Sequence, residues 1–234
     1  MNAIIQIENL TKTFPMGKSK FTALEGINLE VGMGEFAGLI GPSGSGKTTL
    51  LNITGSLDTP TSGEALVLGN SVGKLTAKQA ARLRKENLGF IFQSYNLLAV
   101  HTVFENVEFP LLLLDYSGSE RKKMVMDALE WVGLTDKTKS KPPQLSGGEC
   151  QRVAIARAMV KKPSLVLADE PTANLDAANS HNILQTMEKL NEELKTTFLF
   201  ATHDEKVIKY LKRKIYLFDG KVDKDEVVEP LMHE

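Results

Sequence analysis

Phe36-Ala37-Gly38-Leu39-Ile40-Gly41-Pro42-Ser43-Gly44-Ser45-Gly46-Lys47-Thr48-Thr49 reads as a short apolar strand, a glycine-rich loop and the start of a helix. The loop matches G-x-x-x-x-G-K-[ST] in full, with the preceding strand and following helix that the pattern requires. Gly41, Gly44 and Gly46 let the backbone curl so that its N–H groups point inward at phosphate oxygens. Pro42, Ser43 and Ser45 complete the cradle. The start of the helix adds partial positive charge. Lys47 is expected to reach the β- and γ-phosphates of a nucleotide, Thr48 to offer its hydroxyl to Mg2+, and Thr49 to bond an α-phosphate oxygen.

Outward from this loop the chain alternates strands and helices. Ile4 to Leu10 and Leu24 to Val31 alternate apolar and polar residues as half-buried strands do. Glu64 to Leu68 follows a Thr-Pro-Thr-Ser-Gly turn, Thr76 to Glu86 is an amphipathic helix, and Leu88 to Phe92 is a strand ending at Gln93. The middle of the chain changes character: Val103 to Leu114, Ser119 to Val132 and Ser146 to Lys161 read as helices. After Pro163 the alternation returns, with strands over 165–168, 197–201 and 214–218 and helices over 177–194 and 205–210. Strands separated by helices imply a mostly parallel sheet covered on both faces. The helical block is then an insertion in one α/β domain. Residues 1–93 and 162–234 form the nucleotide-binding lobe, and residues 94–161 form the helical lobe.

Leu165-Val166-Leu167-Ala168-Asp169 is an apolar strand ending in a carboxylate, and Glu170 follows. In a parallel sheet the carboxyl ends of strands face the ligand crevice. Asp169 is expected to hold the Mg2+ shell with Thr48, and Glu170 to orient or deprotonate an attacking water. An Asp-Glu pair is by itself a solvated strand end; the phosphate loop and His203 favour function. Gln93 ends a strand, where its amide can touch both Mg2+ and the water. His203 follows Phe198 to Thr202 and is placed to bond the γ-phosphate and hold Glu170.

Leu145-Ser146-Gly147-Gly148-Glu149 offers a second phosphate-facing surface. Ser146 is a good helix cap, and Gly147 and Gly148 permit close approach. The same residues also suit an ordinary helix start. If they bind phosphate, the insertion carries them away from Gly41, and a second copy turned head to tail would supply them in trans.

The order of phosphate loop, Gln93, Leu-Ser-Gly-Gly, Asp169-Glu170, Asn174-Leu175-Asp176 and His203 resembles the ATP-binding cassette ATPase family over essentially the whole chain. The resemblance implies a P-loop nucleotide-hydrolase core with a mostly parallel sheet, an antiparallel β subdomain and an inserted helical subdomain. It implies ATP hydrolysis with Mg2+ in a homodimer coupled to integral membrane permease subunits, at the cytoplasmic face of the inner membrane. It makes Phe14 the ring that stacks on adenine, where Tyr is more usual, and puts Asp176 in a loop crossing the dimer interface. Thr11-Lys12-Thr13-Phe14, the run Phe90 to Leu98 and Thr102 to Val107 look like the subfamily of lipoprotein-releasing, macrolide-exporter-type and peptide-sensing ATPases. Two departures stand out. Glu149 occupies a position where Gln is usual, so its carboxylate is expected to point away from the γ-phosphate. Ala173-Asn174-Leu175-Asp176 replaces the commoner Ser-Ala-Leu-Asp.

Composition sets the outer limits. The chain has 234 residues, 28 Lys and Arg against 29 Asp and Glu, and a formal net charge of −1. That balance disfavours a nucleic-acid partner held by bulk positive charge. No apolar run approaches the roughly 20 residues of a membrane span. The first residues lack the basic and apolar stretches of a leader, and a single cysteine, Cys150, permits no internal disulfide, which suits a reducing compartment. Cys150 itself reads as a small buried helix residue, with a redox role as the alternative. A cell-division-type regulator without transport and a soluble nucleic-acid-acting ATPase are the other function classes. Against the latter, no heptad run separates the phosphate loop from Leu145. Intact Glu170 and His203 favour hydrolysis over mere binding. Tyr95, Leu97, Leu98 and Val100 either dock a membrane partner or pack within the helical lobe.

Overall fold

The structure is a computed structural model that describes residues 3–17 and 19–228. Met1 and Asn2, used in the leader reading, and the last residues of the 1–234 domain lie outside the described residues.

Among the described residues ten strands form a small antiparallel sheet and a larger, mostly parallel one. The small sheet has the order β2 (Ser19–Gly32), β1 (Ala3–Met16), β4 (Ser62–Val67), β5 (Asn70–Ser71). β1 continues six residues past the expected Leu10. Beyond Leu10 a charged residue, Lys12, interrupts the apolar alternation. The structure buries Lys12 and pairs its amine with Asp58 Oδ1 at 2.5 Å and the Thr59 carbonyl at 2.8 Å.

The large sheet has the order β10 (Lys221–Val227), β9 (Arg213–Phe218), β3 (Phe36–Ile40), β8 (Thr197–Thr202), β7 (Leu165–Asp169), β6 (Leu88–Phe92). All neighbours are parallel except the β9–β10 hairpin. β3 and β8 are buried along their whole length, as central parallel strands covered on both faces must be. β10 escaped the sequence reading because its Lys-Val-Asp-Lys-Asp-Glu-Val run is mostly charged, which suits an edge strand. Arg213 ties it in, bridging Asp225 on β10 and Glu35 before β3.

Helices α1 (Lys47–Thr54), α2 (Ala77–Asn87), α3 (Val103–Glu108), α4 (Gly118–Trp131), α5 (Gly147–Met159), α6 (Ala177–Leu194) and the short α7 (Glu205–Ile208) fill the rest. Capping boxes open α2, α3, α4 and α5, each a Ser or Thr with Gln or Glu three positions on. The expected helix over 103–114 ends at Glu108 and continues as a 3-10 turn over Phe109–Leu113. Pro110 is the physical reason: without an N–H it cannot close the α-helical bond there.

Two apolar clusters result. One joins the small sheet, α1 and one face of the large sheet; the other joins the opposite face to α3, α4, α5 and α6. Phe36, Phe198 and Phe200 anchor the second, with Phe36 and Phe200 edge to face at 4.7 Å. Phe36→Ala should cost about 3–5 kcal/mol of stability. Urea unfolding would measure it, and a loss below about 1 kcal/mol would show that the site collapses around the missing ring.

Candidate functional site

The strand ends of the large sheet assemble the site. Ile40 pairs with Thr202, Ala201 with Asp169, and Asp169 with Phe92. The residues that follow each pairing, Gly41, His203, Glu170 and Gln93, therefore emerge in a row along one edge. Four segments distant in sequence are brought together by register alone, at the carboxyl ends where parallel sheets hold ligands.

Ser43, Gly44, Gly46, Lys47, Thr48, Thr49, Gln93, Asp169, Glu170 and His203 line one cleft of about 370 Å3. Gly46 sits at φ +102°, and a Cβ there would meet the Ala23 carbonyl oxygen at 2.6 Å, so only glycine fits this bend. Lys47 is buried beneath the loop and donates to the Gly41 and Pro42 carbonyls at 2.6 and 2.9 Å. Burial lowers its amine from the ordinary lysine value, while Glu170 and Asp169 oppose that shift. Ser45 Oγ is buried with no hydrogen-bond partner among the described residues, and Ser45 is not one of the residues lining the cleft.

The Thr48 hydroxyl lies 3.2 and 3.3 Å from the two Asp169 carboxylate oxygens. Burial raises Asp169 above the usual range, and the Thr48 hydrogen bond and Lys47 counter it. Two hard oxygens at a phosphate loop suit Mg2+. Among the described residues no cluster of three His, Cys, Asp or Glu could hold a metal. A Mg2+ here would draw most of its shell from phosphate and water, as that ion commonly does.

Glu170 has a left-handed backbone, φ +45°, at the end of β7. Its N–H donates to the Ala201 carbonyl at 2.9 Å. One carboxylate oxygen accepts from the His203 backbone N–H at 3.2 Å and lies 2.5 Å from His203 Nδ1. The other accepts from the Thr202 hydroxyl at 2.9 Å. The carboxylate is clamped from β8 on both oxygens, with its backbone strained into place. A held base next to a phosphate cradle can orient and deprotonate water.

Chain comparisons place this arrangement. The profile described as ABC transporter matches residues 24–173. The chain belongs to the ABC transporter family. It is similar to the ABC transporter ATP-binding protein MJ0796 of Methanocaldococcus jannaschii, at 43% identity over 95% of this chain and 97% of the relative. It is also similar to the lipoprotein-releasing system ATP-binding protein LolD of Pseudoalteromonas translucida, at 46% identity over 94% of each chain. A solved structure of dimeric MJ0796 in a post-hydrolysis state, bound to ADP and Pi, superposes with a TM-score of 0.89 at 42% identity, covering 97% of this chain and 100% of that one. The chain is thus an ABC transporter ATPase domain with the mixed α/β cassette fold, in the LolD-like part of the family.

Several expected residues of this ABC ATPase stand apart from the cleft. Phe14 is not among its lining residues, whereas Phe21, its cross-strand neighbour, is. The hairpin aligns the two rings on one face, and Lys12 Nζ sits 5.0 Å from the Phe14 centroid. Sequence reasoning missed Phe21; its signal was a second aromatic placed to pair with the first. Ser146 and Gly147 are exposed at the start of α5, also outside the lining residues. Gly148 is buried, and a Cβ on it would meet Asn179 Oδ1 at 2.6 Å.

Glu149 turns back on its own helix. Its carboxylate accepts from the Ser146 N–H at 2.8 Å and lies 3.4 Å from Lys137 Nζ. The Ser146 hydrogen bonds and then Lys137 hold it below the ordinary carboxylate range. Asp176 caps α6, accepting from the Asn179 N–H and side-chain amide, both at 2.8 Å.

Asn174, noted in the sequence as part of the interface-loop departure, gains a contact the sequence did not show: its amide donates to the Gln93 carbonyl at 2.9 Å. It joins the loop after Glu170 to the loop after β6. Thr172 makes a parallel link to Asp204 at 3.2 Å, and Gln151 of α5 donates to the Pro171 carbonyl at 2.6 Å. Helix α5, the loop after β7 and the Gln93 loop therefore share one hydrogen-bonded junction. Asn174→Ala should lower kcat about fivefold, the rate equivalent of one bond of ~1 kcal/mol, with little change in thermal stability. Steady-state ATPase and melting curves would check this, and an unchanged kcat would remove Asn174 from the junction's working part.

Proposed function

We propose that this chain is the ATP-hydrolysing motor of a membrane complex of the lipoprotein-releasing or macrolide-exporter type, working as a head-to-tail homodimer. The observation that carries the reading is the division of parts. The chain's own cleft gathers Lys47, Thr48, Asp169, Glu170, His203 and Gln93, while Ser146 and Gly147 stand exposed at a helix start outside it. A partner's Ser146, Gly147 and Gly148 would complete each site from the opposite side, using backbone N–H groups and the helix dipole.

Within each site the loop N–H groups and Lys47 hold the β- and γ-phosphates and Thr49 the α-phosphate, while Thr48, Asp169 and Gln93 would hold Mg2+, which when bound would supply positive charge to offset that of the phosphates. Glu170 takes the proton of the attacking water as the bond from the γ-phosphorus to the bridging oxygen breaks, leaving ADP and phosphate. His203 keeps the Glu170 carboxylate turned toward that water. Phe14 stacks on adenine, with Phe21 against the same base or its ribose, and Asp176 lies at the dimer seam.

Membrane contact comes through permease subunits at the cytoplasmic face of the inner membrane, a reading supported by the similarity to the ATP-binding proteins of lipoprotein-releasing systems; no helix among the described residues is long and apolar enough to cross a membrane. The docking place is a groove of about 500 Å3 between α2, β6, the Phe109–Leu113 turn and α5. Of the Gln93 to Thr102 segment only Asn96 reaches this groove's lining, together with Phe92 just before the segment. Leu97 packs on the core, while Leu98 and Val100 are exposed beside it. Cargo of the lipid-modified class is supported by the similarity to LolD proteins.

Phe109, about half exposed in the groove wall, supplies the test. Phe109→Asp should abolish stimulation of ATPase by the co-purified membrane partner and leave the chain's own turnover within about twofold. Full stimulation in that variant would remove the groove as the docking site.

A further inference from the structure

The capping box that opens α5 occupies donors that a helix start can otherwise turn toward an anion. The Ser146 N–H donates to the Glu149 carboxylate at 2.8 Å, and the Glu149 N–H donates to the Ser146 hydroxyl at 3.3 Å. The N–H groups of Gly147 and Gly148 are left, and Gly148 is buried against Asn179. The Glu149 carboxylate also sets a negative charge near Ser146, offset by Lys137 at 3.4 Å. A phosphate approaching this helix start therefore meets few donors and a like charge.

Another hydroxyl stands at the same place. A Cβ on Gly147 would meet the Tyr95 phenol oxygen at 3.0 Å, so that oxygen lies against the Gly147 main chain, beside Ser146. Among the described residues this hydroxyl has no hydrogen-bond partner. Burial, and then the nearby Cys150, push the phenol above its ordinary value, which keeps it a donor at neutral pH. Tyr95 does not line the groove between α2 and α5.

The backbone is bent to bring Tyr95 there. Tyr95 and Asn96 have φ +61° and +50°, two successive left-handed residues that are not glycine. Arg157 of α5 holds both, donating to their carbonyls at 2.7 and 2.6 Å, and Asn174 holds the Gln93 carbonyl at 2.9 Å. Strained backbone persists where its surroundings over-determine it. Here the constraint comes from the helix that presents Ser146.

We propose that the Tyr95 hydroxyl is a further nucleotide-binding group, donating in trans, together with Ser146 and Gly147, to a γ-phosphate oxygen of the partner's ATP. This rests on the head-to-tail reading of the dimer. A neutral donor beside Gly147 supplements the groups that the capping box leaves, and it tells ATP from ADP because ADP lacks the γ-phosphate. Gln93 then serves the chain's own site, while Tyr95, on the same short loop, serves the partner's.

Tyr95→Phe keeps the ring and removes one oxygen, so it separates the bond from packing. In the Glu170→Gln background the ATP concentration that half-dimerises the chain, read by size-exclusion chromatography, should rise roughly tenfold, the equivalent of a hydrogen bond to a charged group, while affinity for fluorescent ADP stays within about twofold. Mixed dimers assign the direction. Lys47→Ala chains mixed with Ser146→Arg chains leave one working site, whose Ser146 and Tyr95 come from the Lys47→Ala chain. Tyr95→Phe should lower nucleotide trapping in that mixture when the Lys47→Ala chain carries it, and not when the Ser146→Arg chain does. The reverse pattern would make Tyr95 a brace for Gln93 of its own site and overturn the proposal, as would an unchanged dimerisation midpoint. Equal losses of ATP and ADP affinity with a lowered melting temperature would show a structural hydroxyl and also overturn it. No trapping in the mixture lacking Tyr95→Phe would overturn the head-to-tail reading and the proposal with it.

Discussion

Glu170→Gln is expected to lower ATP turnover by roughly 10²–10⁴-fold while ATP affinity stays within about threefold. The size follows from what the side chain touches. Both carboxylate oxygens are held, one by His203 and one by the Thr202 hydroxyl. The amide is nearly the same shape, so Lys47, Thr48 and Asp169 keep their places and the nucleotide still binds. What disappears is the negative charge that takes the water's proton. Because the γ-phosphate stays in place between the phosphate loop of one chain and Ser146 of the other, the variant should accumulate as an ATP-bound dimer. Single-turnover kinetics and size-exclusion chromatography with ATP would read both effects. Turnover near the wild-type rate would take Glu170 out of the chemistry and leave it as a strand-end brace.

The second large effect tests whether the two halves of each site come from different chains. Lys47→Ala alone, or Ser146→Arg alone, should reduce homodimer ATPase to background. Lys47→Ala strips the phosphate cradle of its cation, and Ser146→Arg places a bulky side chain on the exposed cap of α5. A mixture of the two variant chains should recover activity. In the mixed dimer one site joins both defects, and the other joins an intact phosphate loop to an intact Ser146. A chain carrying both substitutions, mixed with wild type, spoils one half of each site and should recover none in its heterodimers. No recovery in the mixture of single variants, with activity retained in the double-variant heterodimers, would mean that each chain works with its own Leu145 to Glu149 element. Nucleotide trapping per dimer is the cleaner readout if the two sites fire together.

Legibility in the sequence tracked locality. The phosphate loop was readable because its chemistry is contiguous: three glycines, Lys47 and Thr48 act within one turn of backbone. β3, β7 and β8 were readable because full burial on both faces writes a continuous apolar run. β1 was cut short at Leu10, since the lysine that follows at position 12 looks like a strand end until Asp58 is brought to it from the connection between α1 and β4. β10 was missed because an edge strand needs no apolar alternation. The helix over 103–114 was overextended because apolar periodicity runs through Pro110 although the hydrogen-bond ladder cannot.

The Glu149 carboxylate shows the limit at the scale of one side chain. Its identity as a departure from the usual Gln was visible in sequence. That it closes a capping box on Ser146 and faces Lys137 depends on how α5 is entered. The sequence by itself determined the phosphate cradle, the order of chemistry-bearing segments and the α/β class, because each is encoded by residues close along the chain. Only the tertiary structure decided that Gly41, His203, Glu170 and Gln93 share one sheet edge, that Phe21 lines the cleft, and that Asn174 joins two catalytic loops. Those facts rest on strand register and on contacts between distant segments, and no local propensity encodes either.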